Sequence, residues 1–251
     1  MKLHTSLLLS VLLFTASLNA QNVYRLSWKT DVPIAAVGIS TNIPPLFLKK
    51  NKAVLSEETI NNLDRNTIWK VDRFATRNWN PKVAIASDVL MLTSMALPAL
   101  LLINKPARSE AGRITLIYAE TLVLNAGLTN LTKELFKRKR PYNYNPDAPL
   151  HKKQERDATS SFFSGHTSFS ASSTFFFAKV YADTNPTSKW KPAVWAGAAT
   201  LPLVTAICRV AAGKHFPTDV LVGYLVGAAT GILVPHFHRV NRTPADLFPK
   251  Q

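Results

Sequence analysis

Ser160–Ser161–Phe162–Phe163–Ser164–Gly165–His166–Thr167–Ser168 is the stretch on which the reading of this chain turns. Small hydroxyl residues and a glycine lead into a long apolar run from Phe169, a pattern that predicts a loop feeding the N-terminus of a helix. Backbone N–H groups at such an end are unpaired and point outward, which suits an anion. Gly165 lets the backbone approach a bound group closely, and His166 stands where it can pass a proton at neutral pH. The same residues also describe an ordinary helix start capped by Thr167 or Ser168, so the flanking sequence has to decide.

Upstream, an apolar segment at 114–131 runs into Lys133–Glu134–Leu135–Phe136–Lys137–Arg138–Lys139–Arg140–Pro141. On a helix, Lys133 and Arg140 return to one face two turns apart, and Pro141 stops the helix. Read alone, this basic end also fits a membrane flank or a partner for the helix dipole. Downstream, Cys208–Arg209 is followed by His215, Pro217 and Asp219 at the start of the last apolar segment. His215 and Asp219 are four apart, so the carboxylate can reach the imidazole, fix its tautomer and leave the other ring nitrogen as a nucleophile. A His–Asp capping contact explains the same spacing.

Outward from these motifs, 251 residues carry no linker-like tract and no internal repeat. Apolar segments at 32–48, 83–103, 114–131, 169–182, 193–207 and 220–237 are rich in Ala, Leu and Gly without strict alternation. They predict an all-α bundle of about five to six apolar helices, embedded in a membrane, with the site at one end. The first segment is interrupted by Pro33, Pro44 and Pro45 and is marginal as a span, while Asp88 and Glu120 should face the bundle interior. A mean hydropathy of +0.03 is low for a multi-span protein and keeps a soluble exported reading open. Residues 1–20 read as a secretory signal, with Lys2 and His4 before an apolar core and Leu18–Asn19–Ala20 as the cleavage site; an uncleaved anchor is the alternative. The expected organisation is that signal, an N-terminal apolar segment and charged connector at 21–82, a catalytic helical domain at 83–238, and a tail at 239–251. Within the connector, Ser56 to Thr59 resembles a capping box before an amphipathic stretch with Trp69, Phe74 and Trp79, suited either to a membrane surface or to covering the core.

Lys+Arg 30 against Asp+Glu 15 gives a net charge of +15, which points to anionic partners: a phosphorylated substrate or acidic lipid. Nucleic acid is set aside because no zinc-finger, helix-turn-helix or RNA-binding pattern is present. The single Cys208 rules out an intramolecular disulfide. His236 and His238 flank Phe237 and read as interfacial or surface residues, since no further ligand stands near them in sequence. No metal, cofactor or protein partner is expected.

In this order and spacing the three motifs resemble the type 2 phosphatidic acid phosphatase family, which also contains bacterial acid phosphatases and vanadium haloperoxidases. The family pattern is Lys, six residues, Arg–Pro; then Pro–Ser–Gly–His; then Ser–Arg, five residues, His, three residues, Asp. Two departures are visible: Phe163 stands in place of the proline and Cys208 in place of the serine, the latter removing a hydroxyl beside the phosphate. The resemblance covers roughly residues 83–237 and leaves the connector at 49–82 and the tail unexplained. It implies that His215 attacks phosphorus to form a phosphohistidine, that Asp219 orients His215, and that His166 protonates the leaving oxygen before water releases phosphate. Lys133, Arg140 and Arg209, with Ser164 and the backbone at Gly165, would hold the phosphoryl oxygens, a task suited to guanidinium groups.

The implied substrate is a lipid phosphate: phosphatidate, phosphatidylglycerol phosphate, polyprenyl pyrophosphate or a lipid A-like glycolipid. A soluble exported phosphatase of small phosphomonoesters is the alternative. A vanadate haloperoxidase would use the same residues but usually a much larger chain, and a non-catalytic membrane protein would require three accidental motifs. The implied location is the inner membrane, multi-pass, with a soluble periplasmic protein as the alternative. The basic connector would place the catalytic loops in the cytoplasm if residues 32–48 span; if they do not, the site faces the periplasm or outside, as the resemblance to exported lipid phosphatases implies.

Overall fold

The computed structural model describes residues 22–48 and 54–240, so the expected signal at 1–20, residues 49–53 and the tail from 241 onward lie outside it. Six long helices follow in order: α1 Trp28–Leu48, α2 Pro81–Ala96, α3 Ala111–Phe136, α4 Gly165–Thr184, α5 Lys191–Ala211 and α6 Pro217–His238. A 3-10 segment, Leu97–Ile103, prolongs α2. Among the described residues there is no strand, only an isolated antiparallel bridge between Tyr24 and Arg239.

Helix α4 packs against α2, α3, α5 and α6, and its composition suits that central place. Its small hydroxyl residues Ser168, Ser170, Ser172, Ser173 and Thr174 are fully buried. Each needs a partner away from water. Ser168 Oγ donates to Asn125 Oδ1 on α3 (2.5 Å), Thr174 Oγ1 to Ala198 O on α5 (2.8 Å), and Tyr118 OH to Ser173 Oγ (2.8 Å). On α6, Gly223, Gly227 and Gly231 recur every fourth residue, and a Cβ at these positions would come within 2.5, 2.2 and 2.4 Å of the carbonyl oxygens of Ser164, Ser168 and Ser172. The two backbones therefore lie in direct contact and run parallel.

Four helices are long and apolar enough to cross a membrane: α1, α2 with its extension, α5 and α6. Their outward faces carry exposed Ile85, Val89, Leu92, Ile207, Leu221 and Leu225, which suits lipid rather than water. Segments 114–131 and 169–182, also expected as spans, fall in α3 and α4, whose polar side chains are bonded inside the bundle.

Contrary to the expectation from its prolines, α1 is continuous. Pro33 lies near its start and Pro44 and Pro45 near its end, so few helix bonds are lost. Asn42 Nδ2 donates both to Gly38 O within α1 (2.7 Å) and to Val123 O on α3 (3.0 Å). Gly38 against Val123 and Gly127 against Thr41 make α1 and α3 parallel. The ends of α1, α3 and α5 thus meet the starts of α2, α4 and α6 at one end of the bundle.

The connector is not one amphipathic helix. It breaks at Asn62, Asp64 and Asn78 into short turns, Glu57–Asn61, Arg65–Thr67, Lys70–Arg73 and Phe74–Arg77, the first capped by Ser56 Oγ accepting from Thr59 N (3.1 Å) as its sequence suggested. These turns cover the end of the bundle at which the three motifs gather: Trp79 packs edge-on to Tyr142 with ring centroids 5.6 Å apart, and Asn78 Nδ2 donates to Val210 O (2.9 Å). Gly213, at φ +71°, lies so close to Asn78 O that a Cβ would approach it to 2.0 Å.

Candidate active site

Helix α3 ends earlier than expected. Lys137 adopts a left-handed conformation (φ 44°) and donates its N–H to Lys133 O (3.1 Å), so the chain leaves the helix before Arg140, which is extended ahead of Pro141. Lys133 and Arg140 therefore do not share a helical face. Lys133 stays on α3, where its Nζ lies 3.4 Å from the place a Gly165 Cβ would occupy, and Arg140 is held by the loops. Arg140 Nε donates to Asp157 O (2.9 Å), one terminal nitrogen to Asp157 Oδ1 (2.8 Å), and the other to Lys214 O (2.9 Å) and toward His215 Nε2 (3.0 Å).

His215 follows the Gly213 turn and is 1% exposed. Its Nδ1 lies 2.7 Å from the carbonyl oxygen of Ser161. A carbonyl only accepts, so Nδ1 carries the proton and Nε2 keeps its lone pair. Asp219 Oδ2 stands 3.7 Å from Nδ1, beyond a hydrogen bond, which corrects the expectation that this carboxylate grips the ring. As the third residue of α6, Asp219 accepts from Phe216 N (2.9 Å) and Ser161 Oγ (2.5 Å), while its other oxygen accepts from Arg138 (2.5 Å). Asp219 thus fixes the residue whose carbonyl orients His215.

Ser164 caps α4, its Oγ meeting Thr167 Oγ1 (3.0 Å), and its N–H donates to Asp219 O (3.0 Å). That places Gly165 and His166 in the first turn of α4. His166 Nε2 lies 2.7 Å from Asp88 Oδ1 on α2, and Arg209 reaches the same oxygen (3.3 Å) after donating to Ser87 Oγ (3.0 Å). Arg209 is 4% exposed, and its Nε–H has no acceptor among the described residues. A buried guanidinium donor left unmet this way is suited to an oxyanion.

The electrostatics are those of an anion site. Burial, then Arg140, Arg209 and Lys133, hold His215 well below the ordinary imidazole range. His166 is pushed down to about 4 by burial and Arg209, opposed by Asp88. Burial alone would raise Asp157, but the Arg140 guanidinium beside it holds its carboxyl well below the usual range.

All eight residues singled out from the motifs lie at this end of the bundle. Sequence reasoning missed the groups that hold them. Arg138 spans Asp219 and Asp72 (2.7 Å), and stacks on Phe216 at 4.2 Å from the ring centroid. Asp72, a buried connector residue, also accepts from Thr218 N (3.0 Å) and Thr218 Oγ1 (2.6 Å). Asp88 had a visible signal as a charge inside an apolar segment; it had been expected in the bundle interior, but its side chain is half exposed where it meets His166 and Arg209. Asp72 and Asp157 had none, and Ser161, although part of the opening stretch, had no role assigned.

Residues 114–243, just over half of the chain, match the sequence profile of the PAP2 superfamily. The chain belongs to the PAP2 superfamily. The matched region spans all three motifs, while Asp72 and Asp88 are supplied from outside it. Phospholipid phosphatase 1 of Rattus norvegicus is 35% identical over 83 residues, which span 32% of this chain and 29% of the length of that relative. The crystal structure of a transmembrane PAP2 type phosphatidylglycerolphosphate phosphatase from Bacillus subtilis overlays with a TM-score of 0.48 at 22% identity, over 80% of this chain and 94% of that one.

Proposed function

We propose that this protein is a membrane phosphatase that removes phosphate from a phosphorylated lipid through a phosphohistidine at His215, using side chains rather than a metal. The observation that carries the reading is the His215 ring: Nδ1–H is held by Ser161 O, and Nε2 points its lone pair toward Arg140 among buried cationic groups. In the first step Nε2 attacks phosphorus and the bond to the lipid oxygen breaks. Arg140, Arg209 and Lys133 hold the phosphoryl oxygens, one of them accepting from the unmet Arg209 Nε–H, with the Gly165 backbone and Ser164 at the start of α4. His166 gives its proton to the leaving oxygen. A bound phosphate dianion offsets Arg209 and Lys133, and Asp88 favours the charged ring, so substrate raises His166 from about 4 toward neutral pH. In the second step neutral His166 takes a proton from water, which attacks phosphorus; the P–N bond breaks and phosphate leaves.

A lipid substrate is supported by the apolar outward faces of the four long helices, which would sit in the bilayer with the cationic centre at its edge. Phosphatidate, phosphatidylglycerol phosphate, polyprenyl pyrophosphate and a lipid A-like glycolipid all present that chemistry. The parity argument for an outward site assumed that residues 32–48 do not span, whereas α1 is long enough and ends at the catalytic end. An outward site therefore requires the start of α1 on the cytoplasmic side.

The test is phosphate release by purified protein in detergent with EDTA, from phosphatidate and from a water-soluble phosphomonoester, with His215→Ala as background. Release from the lipid that disappears in the variant is expected. Release mainly from the soluble ester would favour the small-substrate alternative, and release that survives His215→Ala would remove the proposed nucleophile.

A further inference from the structure

At the end of the bundle away from His215, three helices bring one imidazole and two carboxylates to a point. His238, the last residue of α6, had been expected at the surface but is 2% exposed. Its Nε2 lies 2.8 Å from Asp31 Oδ1, in the first turn of α1, and 3.2 Å from Glu120 Oε2 on α3. The ligand-type atoms of the three residues all lie within 4.8 Å of one another. The carboxylates are distant in sequence, which is why neither was visible beside His238.

The hydrogen bonds and charges of this cluster close only if a second proton or a cation is bound between the two carboxylates. His238 Nδ1 lies 2.7 Å from Val234 O and donates its proton there, so Nε2 turns a lone pair toward two carboxylates. A proton on Nε2 would satisfy Asp31, but the approach to Glu120 is not aligned as a hydrogen bond, and Glu120 Oε2 is buried without any other partner. With both carboxylates ionised it would also leave a net negative charge on this partly buried cluster. Arg239, next in the chain, pairs instead with Asp183 (3.5 Å).

We propose that Asp31, Glu120 and His238 hold a divalent first-row transition-metal ion that pins α1 to α3 and α6. Such an ion replaces the proton and balances both carboxylates. The separations of 2.8 and 3.2 Å are close to the roughly 3.3 Å edge of a tetrahedron with bonds of about 2 Å. One imidazole nitrogen with two carboxylate oxygens suits Zn²⁺ or Mn²⁺, and a ring whose second nitrogen donates to a backbone carbonyl is the usual setting of a metal-bound histidine. A cavity of about 300 Å³, bounded by Leu26, Leu116 and the two carboxylates, opens onto the cluster and leaves room for a water ligand. The ion lies at the opposite end of α6 from Asp219 and takes no part in phosphate transfer.

The test uses the full chain in detergent with any affinity tag removed. Bound metal is measured by mass spectrometry after dialysis, and thermal unfolding is followed with EDTA and then with Zn²⁺ or Mn²⁺ restored. The expected result is close to one ion per chain, with a Tm that falls by several degrees in EDTA and recovers with metal. Glu120→Gln and Asp31→Asn, checked for wild-type elution on size exclusion, should lose both the ion and the EDTA response. A wild-type protein without metal, whose Tm is unmoved by EDTA or by tens of micromolar Zn²⁺ and Mn²⁺, would overturn the proposal, as would an ion held equally well by both variants. If one variant does not fold, the wild-type protein and the other variant still decide.

Discussion

His215 and His238 lie near opposite ends of the same helix and are buried alike, each with Nδ1 2.7 Å from a backbone carbonyl, Ser161 O in one case and Val234 O in the other. Each ring therefore presents an Nε2 lone pair, and what differs is the charge it faces. Around His215 stand Arg140, Arg209 and Lys133; around His238 stand Asp31 and Glu120. On the two proposals above, the same tautomer serves attack on phosphorus at one end and a cation at the other. A buried histidine is given its chemistry by the charges its neighbours supply, and those neighbours come from other helices.

The sharpest way to break this comparison is to remove the two rings in turn. His215→Asn is expected to reduce phosphate release by at least about 10³-fold, because the proposed mechanism passes the phosphoryl group through this ring. His238→Asn should instead lower Tm, with any loss of activity following the unfolded fraction on heating. Next in size, His166→Gln should slow release from an alkyl phosphate by about 10²- to 10⁴-fold, and far less from an aryl phosphate whose leaving oxygen needs no proton. Comparing the two substrates by steady-state kinetics separates acid catalysis from binding. Arg138→Met removes the counter-charge from buried Asp72 and Asp219 and should destabilise the fold by about 3 kcal/mol in denaturant titrations.

The pH dependence has a definite sign. His215 and His166 are both held below the ordinary imidazole value, so the unfolded chain binds protons that the fold refuses as pH falls. Their contribution is present above about pH 6.5 and declines as pH drops from there toward 4. Tm should fall across that window, and vanadate or phosphate, by countering Arg209 and Lys133, should reduce the fall. The smallest effect is expected for Cys208→Ser, which restores a hydroxyl beside Arg209 and should change kcat/KM by less than about threefold.

The contrast between the two ends also explains what could be read from the sequence. The apolar segments marked where the six long helices lie, and the three motifs marked one end of the bundle, because helix periodicity and short spacings are local properties. Residues 32–48 looked broken because a proline count cannot show that the prolines fall near the helix ends, or that Asn42 bonds across to Val123. Nothing in the sequence set the segment at 169–182 apart from its neighbours, and only the partners of the α4 hydroxyl residues on α3 and α5 reveal a central helix. Asp72 and Asp157 carry no local signature, and the role of Ser161 in the opening stretch was not visible, since each acts through a residue 17 or more positions away. The Asp31–Glu120–His238 cluster was illegible for the same reason.

The most direct measurement is rapid quenching of the purified enzyme with phosphatidate carrying radiolabelled phosphate, followed by peptide mapping of the labelled protein. The expected result is an acid-labile, alkali-stable phosphoryl group on the peptide containing His215, formed within one turnover and absent from His215→Ala. Label on the His166 peptide, or steady phosphate release with no label on the protein at any time, would contradict His215 as the nucleophile.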